Sequence, residues 1–107
     1  MTENEYSLTL RDKIIIALRL VYDPEIPVNI YELGLVYEIN IDDSKNVEIV
    51  MTLTAPNCPE AEMIPVHVEE AVRQVHEVND VTVRIVFEPQ WTMENMSDEA
   101  KLELGLL

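Results

Sequence analysis

Beyond a polar lead over residues 1–8, Leu10, Ile14, Ala17, Leu18 and Val21 recur at helical intervals, and Thr9-Leu-Arg-Asp12 has the spacing of a capping box. This pattern predicts a helix over 10–21. Asp23-Pro24 disfavours helical geometry at Asp23, and Pro27 keeps the next segment extended. From Gly34 the period drops to two. Leu35, Tyr37, Ile39 and Ile41 then share one face of a strand, with Val36, Glu38 and Asn40 on the other. Turn chemistry over 42–46 leads into a second alternating run in which Val47, Ile49, Met51 and Leu53 face one way, so the pair reads as a β-hairpin.

Ala55-Pro-Asn-Cys-Pro59 breaks that strand, and Pro59 suits the first position of a helix reaching about Val75. Ile64, Val68, Ala71, Val72 and Val75 are spaced for burial along it. Pro65 removes one backbone donor, which predicts a kink or two short helices. Val81, Val83, Ile85 and Phe87 form a third alternating strand, and Pro89 ends it. Over the 89–107 tail, Ser97-Asp98-Glu99 reads as a cap and acidic first turn of a short helix closed by Gly105. The result is one α+β domain over 1–107, a two-layer sandwich of order α-β-β-α-β plus a C-terminal helix on a three-stranded mixed sheet. Strand order stays open. With both helices on one sheet face, Val36, Val50 and Val86 are left on the other unless the tail or a partner covers them.

Charge narrows the partners. Seven Lys and Arg against 21 Asp and Glu give a net charge of -14, which repels nucleic acid and anionic membranes. The acids are spread along the chain, as a solvated surface or as a docking face for a basic partner. One cysteine cannot form an internal disulfide, and neither a charged-then-apolar leader nor a membrane-length apolar run occurs, so a reducing, cytoplasmic setting is expected.

The chemically suggestive stretch surrounds Cys58. Near a helix N-terminus, unpaired N–H groups and the dipole favour a thiolate, the metal-binding and nucleophilic form, whereas Glu60 and Glu62 oppose it. The competing reading is a small buried hydrophobe. His67 lies about 13 Å along an ideal helix from Cys58 and His76 farther, so no credible base serves a thiol enzyme and both histidines read as surface or structural residues. His67-Val-Glu-Glu70 is a weak metal clip. Thr52 and Thr54 point toward the Cys58 loop and either present hydroxyls to a ligand or fill the strand surface. Asp23 and Glu25 either offer hard oxygen ligands or face water beside a proline turn.

Asp23-Pro-Glu-Ile-Pro27, Glu32-Leu-Gly-Leu-Val-Tyr37, Thr52-Leu-Thr-Ala-Pro-Asn-Cys-Pro59 and Pro89-Gln-Trp-Thr-Met93, with Ser97-Asp-Glu-Ala100 and Leu104-Gly105, occur in that order. The set resembles the metal-sulfur cluster assembly domain family (domain of unknown function 59). That family includes SufT-like bacterial proteins, a subunit of the phenylacetyl-CoA oxygenase system, and eukaryotic adaptors of cytosolic iron-sulfur assembly. The resemblance implies a fold similar to the C-terminal domain of NifU scaffolds. It places Cys58, Asp23, Glu25, Thr52 and Thr54 on the family's site, with Cys58 as a transient metal ligand, and Gly34 and Trp91 on its structural signatures.

By that resemblance the chain is an accessory factor in iron-sulfur cluster assembly or delivery, working with the assembly machinery and client apo-proteins. One cysteine cannot supply the four ligands of an ordinary cluster, so no stably bound cofactor is expected and a transient iron-sulfur cluster is the only candidate. A homodimer, which would bring two thiolates together, is left open. The alternatives are a metal-free interaction adaptor, with Trp91, Met93 and Met96 as an apolar recognition segment, and a dedicated oxygenase subunit.

Overall fold

Thr9 and Asp12 close a reciprocal capping box: the Asp12 N–H donates to Thr9 Oγ1 and the Thr9 N–H to Asp12 Oδ2, each at 3.1 Å. Helix α1, Leu10–Leu18, starts there in the computed structural model, which describes residues 8–23, 26–54 and 62–106. α1 ends three residues short of the expected point. Val21 N–H is tied back to Leu18 O, Ile30 N–H reaches Val21 O, and Tyr22 pairs with Asn29 as an isolated antiparallel bridge, so the chain is already extended by Tyr22.

The strands are β1, Val36–Ile41; β2, Asn46–Met51; and β3, Asp80–Ile85. β2 is central, antiparallel to β1 and parallel to β3. Helix α2, Met63–Arg73, makes the crossover and packs on β3 and against α1. Between helices and sheet lies one core. Ile14 and Leu18 of α1, Ile49 and Met51 of β2, and Ile64, Val68 and Val72 of α2 are essentially excluded from water.

Three expectations change. Pro65 does not kink α2: with Glu62 at the N-cap it is the third helical residue, inside the first turn, where backbone N–H groups have no helical acceptor to lose. Strict alternation in β1 fails at Tyr37. A β-bulge between Val36 and Glu38 leaves Tyr37 without a partner on β2, while Val36 packs against the core. The face expected to hold Val36, Val50 and Val86 is partly walled by the tail. Val50 is buried, and Glu88, Pro89 and Asn95 line a cleft of about 540 Å3 with it, the Glu88-Pro89 bond being cis.

The tail forms a 3-10 turn, Met93–Asn95, and helix α3, Asp98–Glu103, capped by Ser97 as expected. Met96 and Ala100 enter the main core and Trp91 packs at its border. The outer strands are each met by an arginine: Arg11 of α1 donates to the Ile39 carbonyl of β1 at 2.7 Å, and Arg73 of α2 to the Val81 carbonyl of β3 at 3.5 Å.

Candidate functional site

A series of backbone hydrogen bonds gathers one end of the molecule. Thr52, just past the end of β2, donates its N–H to Leu35 O at 2.8 Å; Leu35 donates to Ile30 O at 3.1 Å, and Ile30 to Val21 O at 2.8 Å. Two residues on, Asp23 N–H reaches Val28 O at 3.4 Å, and Asp23 Oδ1 accepts from Ile26 N–H at 3.1 Å. The short Asp side chain thus satisfies a backbone donor inside its own turn, as aspartate does in Asx turns.

This lattice places Asp23 and Thr52 at the same end of the domain and buries both, at 5% and 1% exposure. Neither surface reading holds: Asp23 does not face water, and Thr52 is no surface filler. Thr54 is half-buried in a bend two residues beyond. Glu25 and Cys58 lie outside the described residues, as do Pro59 and Glu60. Helix α2 starts at Met63 with Glu62 at its N-cap, four residues beyond the expected start, and no side chain caps it. The described residues that flank the segment carrying Cys58 are Thr54 on one side and Glu62, before α2, on the other.

The stretch from Asn29 to Leu35, before β1, receives the tail. Trp91 Nε1 donates to Leu33 O at 2.7 Å, Ser97 N–H to Glu32 O at 2.8 Å, and the Tyr37 hydroxyl to Pro89 O at 2.6 Å. The bulge that takes Tyr37 out of the ladder gives it this contact. Gly34, at φ 80°, passes under Asn95, whose carbonyl oxygen would lie 2.1 Å from any Cβ at position 34. Two stretches far apart in sequence, 32–37 and 89–100, are thus one interlocked structure. As a recognition segment, the tail fails at two of three positions: Met96 is in the core, Trp91 is half-buried with its N–H bonded, and Met93 alone is exposed.

His67 and His76 are both exposed. His67 and Glu70 line a shallow cleft with Leu20 and Tyr22, but among the described residues no group of three or more His, Cys, Asp and Glu is placed to hold a metal. Nor is any helix among them long and apolar enough to cross a membrane. The side chains with displaced titration lie at the other end of β2. Asp42, Glu77 and Asp80 are held below the usual carboxylate range, Asp42 by the Asn46 N–H, Glu77 by Lys13 and Asp80 by the Val81 N–H, and Arg73 is raised by Glu69 and Asp80.

Sequence reasoning passed over Leu20, Tyr22 and Leu102, which stand 75%, 57% and 66% exposed. Leu20 and Leu102 are apolar residues out of phase with the buried face of their helical pattern, a signal available in the sequence.

A family model described as "Iron-sulfur cluster assembly protein" matches residues 11–85. A "Fe-S protein maturation auxiliary factor" of Porphyromonas gingivalis is 49% identical over 104 residues, 97% of this chain and 98% of that protein. The "Fe-S protein maturation auxiliary factor YitW" of Bacillus subtilis is 43% identical, covering 91% of this chain and 95% of that one. Among solved structures, a DUF59 domain from Bacillus anthracis superposes with a TM-score of 0.85 at 39% identity, over 92% of this chain and 93% of that chain.

Proposed function

Because the chain belongs to the iron-sulfur cluster assembly protein family, we propose that it is an accessory factor in the maturation of iron-sulfur proteins, acting through Cys58 at the end of the domain where Asp23 and Thr52 are held. The observation that supports this placement is the buried pair itself. Burying a polar side chain is costly unless it is hydrogen-bonded, and Asp23 is fixed by the backbone of its own turn. A rigid platform therefore underlies the point from which the Cys58 segment departs.

The cluster, in this reading, is cargo. Each chain brings one thiol, and ordinary clusters take four protein ligands, so Cys58 makes a transient contact while the client protein or a small thiol completes the set. Asp23, Glu25, Thr52 and Thr54 shape the site. The protein works by contact and not by catalysis, in a reducing, cytoplasmic setting, with the assembly machinery and client apo-proteins as partners.

The test is complementation. In cells lacking the protein, the wild type should restore the activity of a cluster-dependent enzyme, and Cys58→Ser, expressed to the same level, should not. Equal restoration by the serine variant would remove Cys58 from the function. Anaerobic incubation of the purified protein with iron and sulfide, read by absorbance and bound iron per chain, then separates a thiol that contacts the cluster from one that contacts only the client.

A further inference from the structure

Leu20, Tyr22 and Leu102 are the three most exposed large apolar side chains among the described residues. They are not scattered. Leu20 and Tyr22 line a cleft of about 340 Å3 with Glu70 and Ala71 of α2, and Tyr22 also lines a second cleft of about 310 Å3 with Glu99, Leu102 and Glu103 of α3. Tyr22 is thus the ridge between two adjoining depressions, with an exposed leucine beyond it on each side.

The carboxylates lining the clefts are Glu70 in the first, beside His67, and Glu32, Glu99 and Glu103 in the second, of which Glu32 is paired with Arg19, while Lys101 precedes Leu102 in the chain but lines neither cleft. No Lys or Arg lines either cleft, and among the described residues none forms an ion pair with Glu70, Glu99 or Glu103. Arg19, one residue before Leu20, is engaged by Glu32 at 3.2 Å and lies over the Tyr31 ring. A second copy of this chain is a poor occupant, because it brings another -14 charges to an acidic rim.

We infer that the joined clefts on either side of Tyr22 are a docking surface for a basic amphipathic segment of a partner protein, whose apolar side chains enter beside Leu20 and Leu102 while its Lys and Arg meet Glu70, Glu99 and Glu103. Tyrosine is enriched among the residues that carry interface energy, apolar anchors set in a groove are how amphipathic helices dock, and unpaired acids at the rim supply orientation and encounter rate. Docking of this kind needs no cluster chemistry.

The probe is a synthetic helical peptide of Leu and Lys in amphipathic register, titrated into the labelled full chain and followed by NMR. Saturable binding with shifts centred on Leu20, Tyr22 and Leu102 is expected. Tyr22→Ser with Leu102→Ser should weaken it by at least about tenfold, and Glu99→Lys with Glu103→Lys should weaken it and flatten its salt dependence. All four positions are exposed, so the fold should survive, and Cys58→Ser should bind as the wild type does. The proposal is overturned by shifts centred elsewhere, by an absence of saturable binding, by equal binding of a Leu and Glu peptide, or by sedimentation showing that the wild type pairs with itself through Leu20 and Leu102.

Discussion

Gly34 and the carbonyl oxygen of Asn95 are so close that a Cβ on the glycine would lie 2.1 Å from the oxygen. Loop and tail can therefore meet only where position 34 has no side chain, and φ there is 80°, a region costly for any L residue with a Cβ. Gly34→Ala should lower stability by at least about 2 kcal/mol, or roughly 8 °C in Tm, with Trp91 fluorescence shifting toward a solvent-exposed value. An unchanged Tm would mean that the tail does not dock on this loop.

Trp91 holds the same joint from the other side. Trp91→Ala should cost about 2–3 kcal/mol, below the 3–5 typical of a fully buried ring, because the indole is half-buried. Trp91→Phe keeps much of the packing and removes the bond to Leu33 O, so about 1 kcal/mol is expected. Urea denaturation of both variants separates the two contributions.

Thr52 tests whether the buried platform has a chemical role. Thr52→Val preserves shape and β-branching and should change stability by about 1 kcal/mol or less, yet it removes a buried residue's hydroxyl six positions before Cys58 in the chain. Enzyme maturation in the complemented strain should fall with Thr52→Val and be kept by Thr52→Ser. Full activity of the valine variant would leave Thr52 with a packing role alone.

Acid should loosen the opposite end of the sheet. Glu77, held low first by its bond to Lys13, has a folded-state pKa below its ordinary 4.5, and Asp42 and Asp80 lie below their ordinary 3.8. The stability these carboxylates contribute is present in full above those ordinary values and is lost as pH falls through the lowered folded-state values. The difference in urea midpoint between wild type and Glu77→Gln should accordingly hold from pH 7 to about 5 and vanish in stronger acid. A difference that persists at the acid end would assign the effect to packing.

Period located two helices and three strands to within a few residues, because each has one face against a shared core, Leu10, Ile14 and Leu18 on α1, Val68 and Val72 on α2, while α3 was legible from its Ser97 cap. Beyond the β1–β2 hairpin the strand order was not legible, since nothing local in β3 says that it too borders β2. The bulge at Tyr37 was hidden for a similar reason, its partner being a carbonyl 52 residues away. Backbone acceptors leave no trace in a hydrophobicity pattern, so the Trp91 to Leu33 bond was equally invisible. Asp23 reads as a solvated turn residue in any sequence, and only the closure of the turn onto Ile26 shows why it can be buried.

The interlock also sets a schedule for folding on the ribosome. Met96 and Ala100 belong to the same core as Ile14, and Trp91 reaches back 58 residues to Leu33. At a synthesis rate of about 5–20 residues per second, several seconds separate the synthesis of Leu33 from that of Trp91, and the core stays open at the Gly34 loop until residues 89–100 can dock. During that interval the apolar floor later covered by the tail faces solvent. Until then the chain presents the kind of transiently exposed apolar surface that makes incomplete folds aggregation-prone, and the core closes only once residues 89–100 are free to dock.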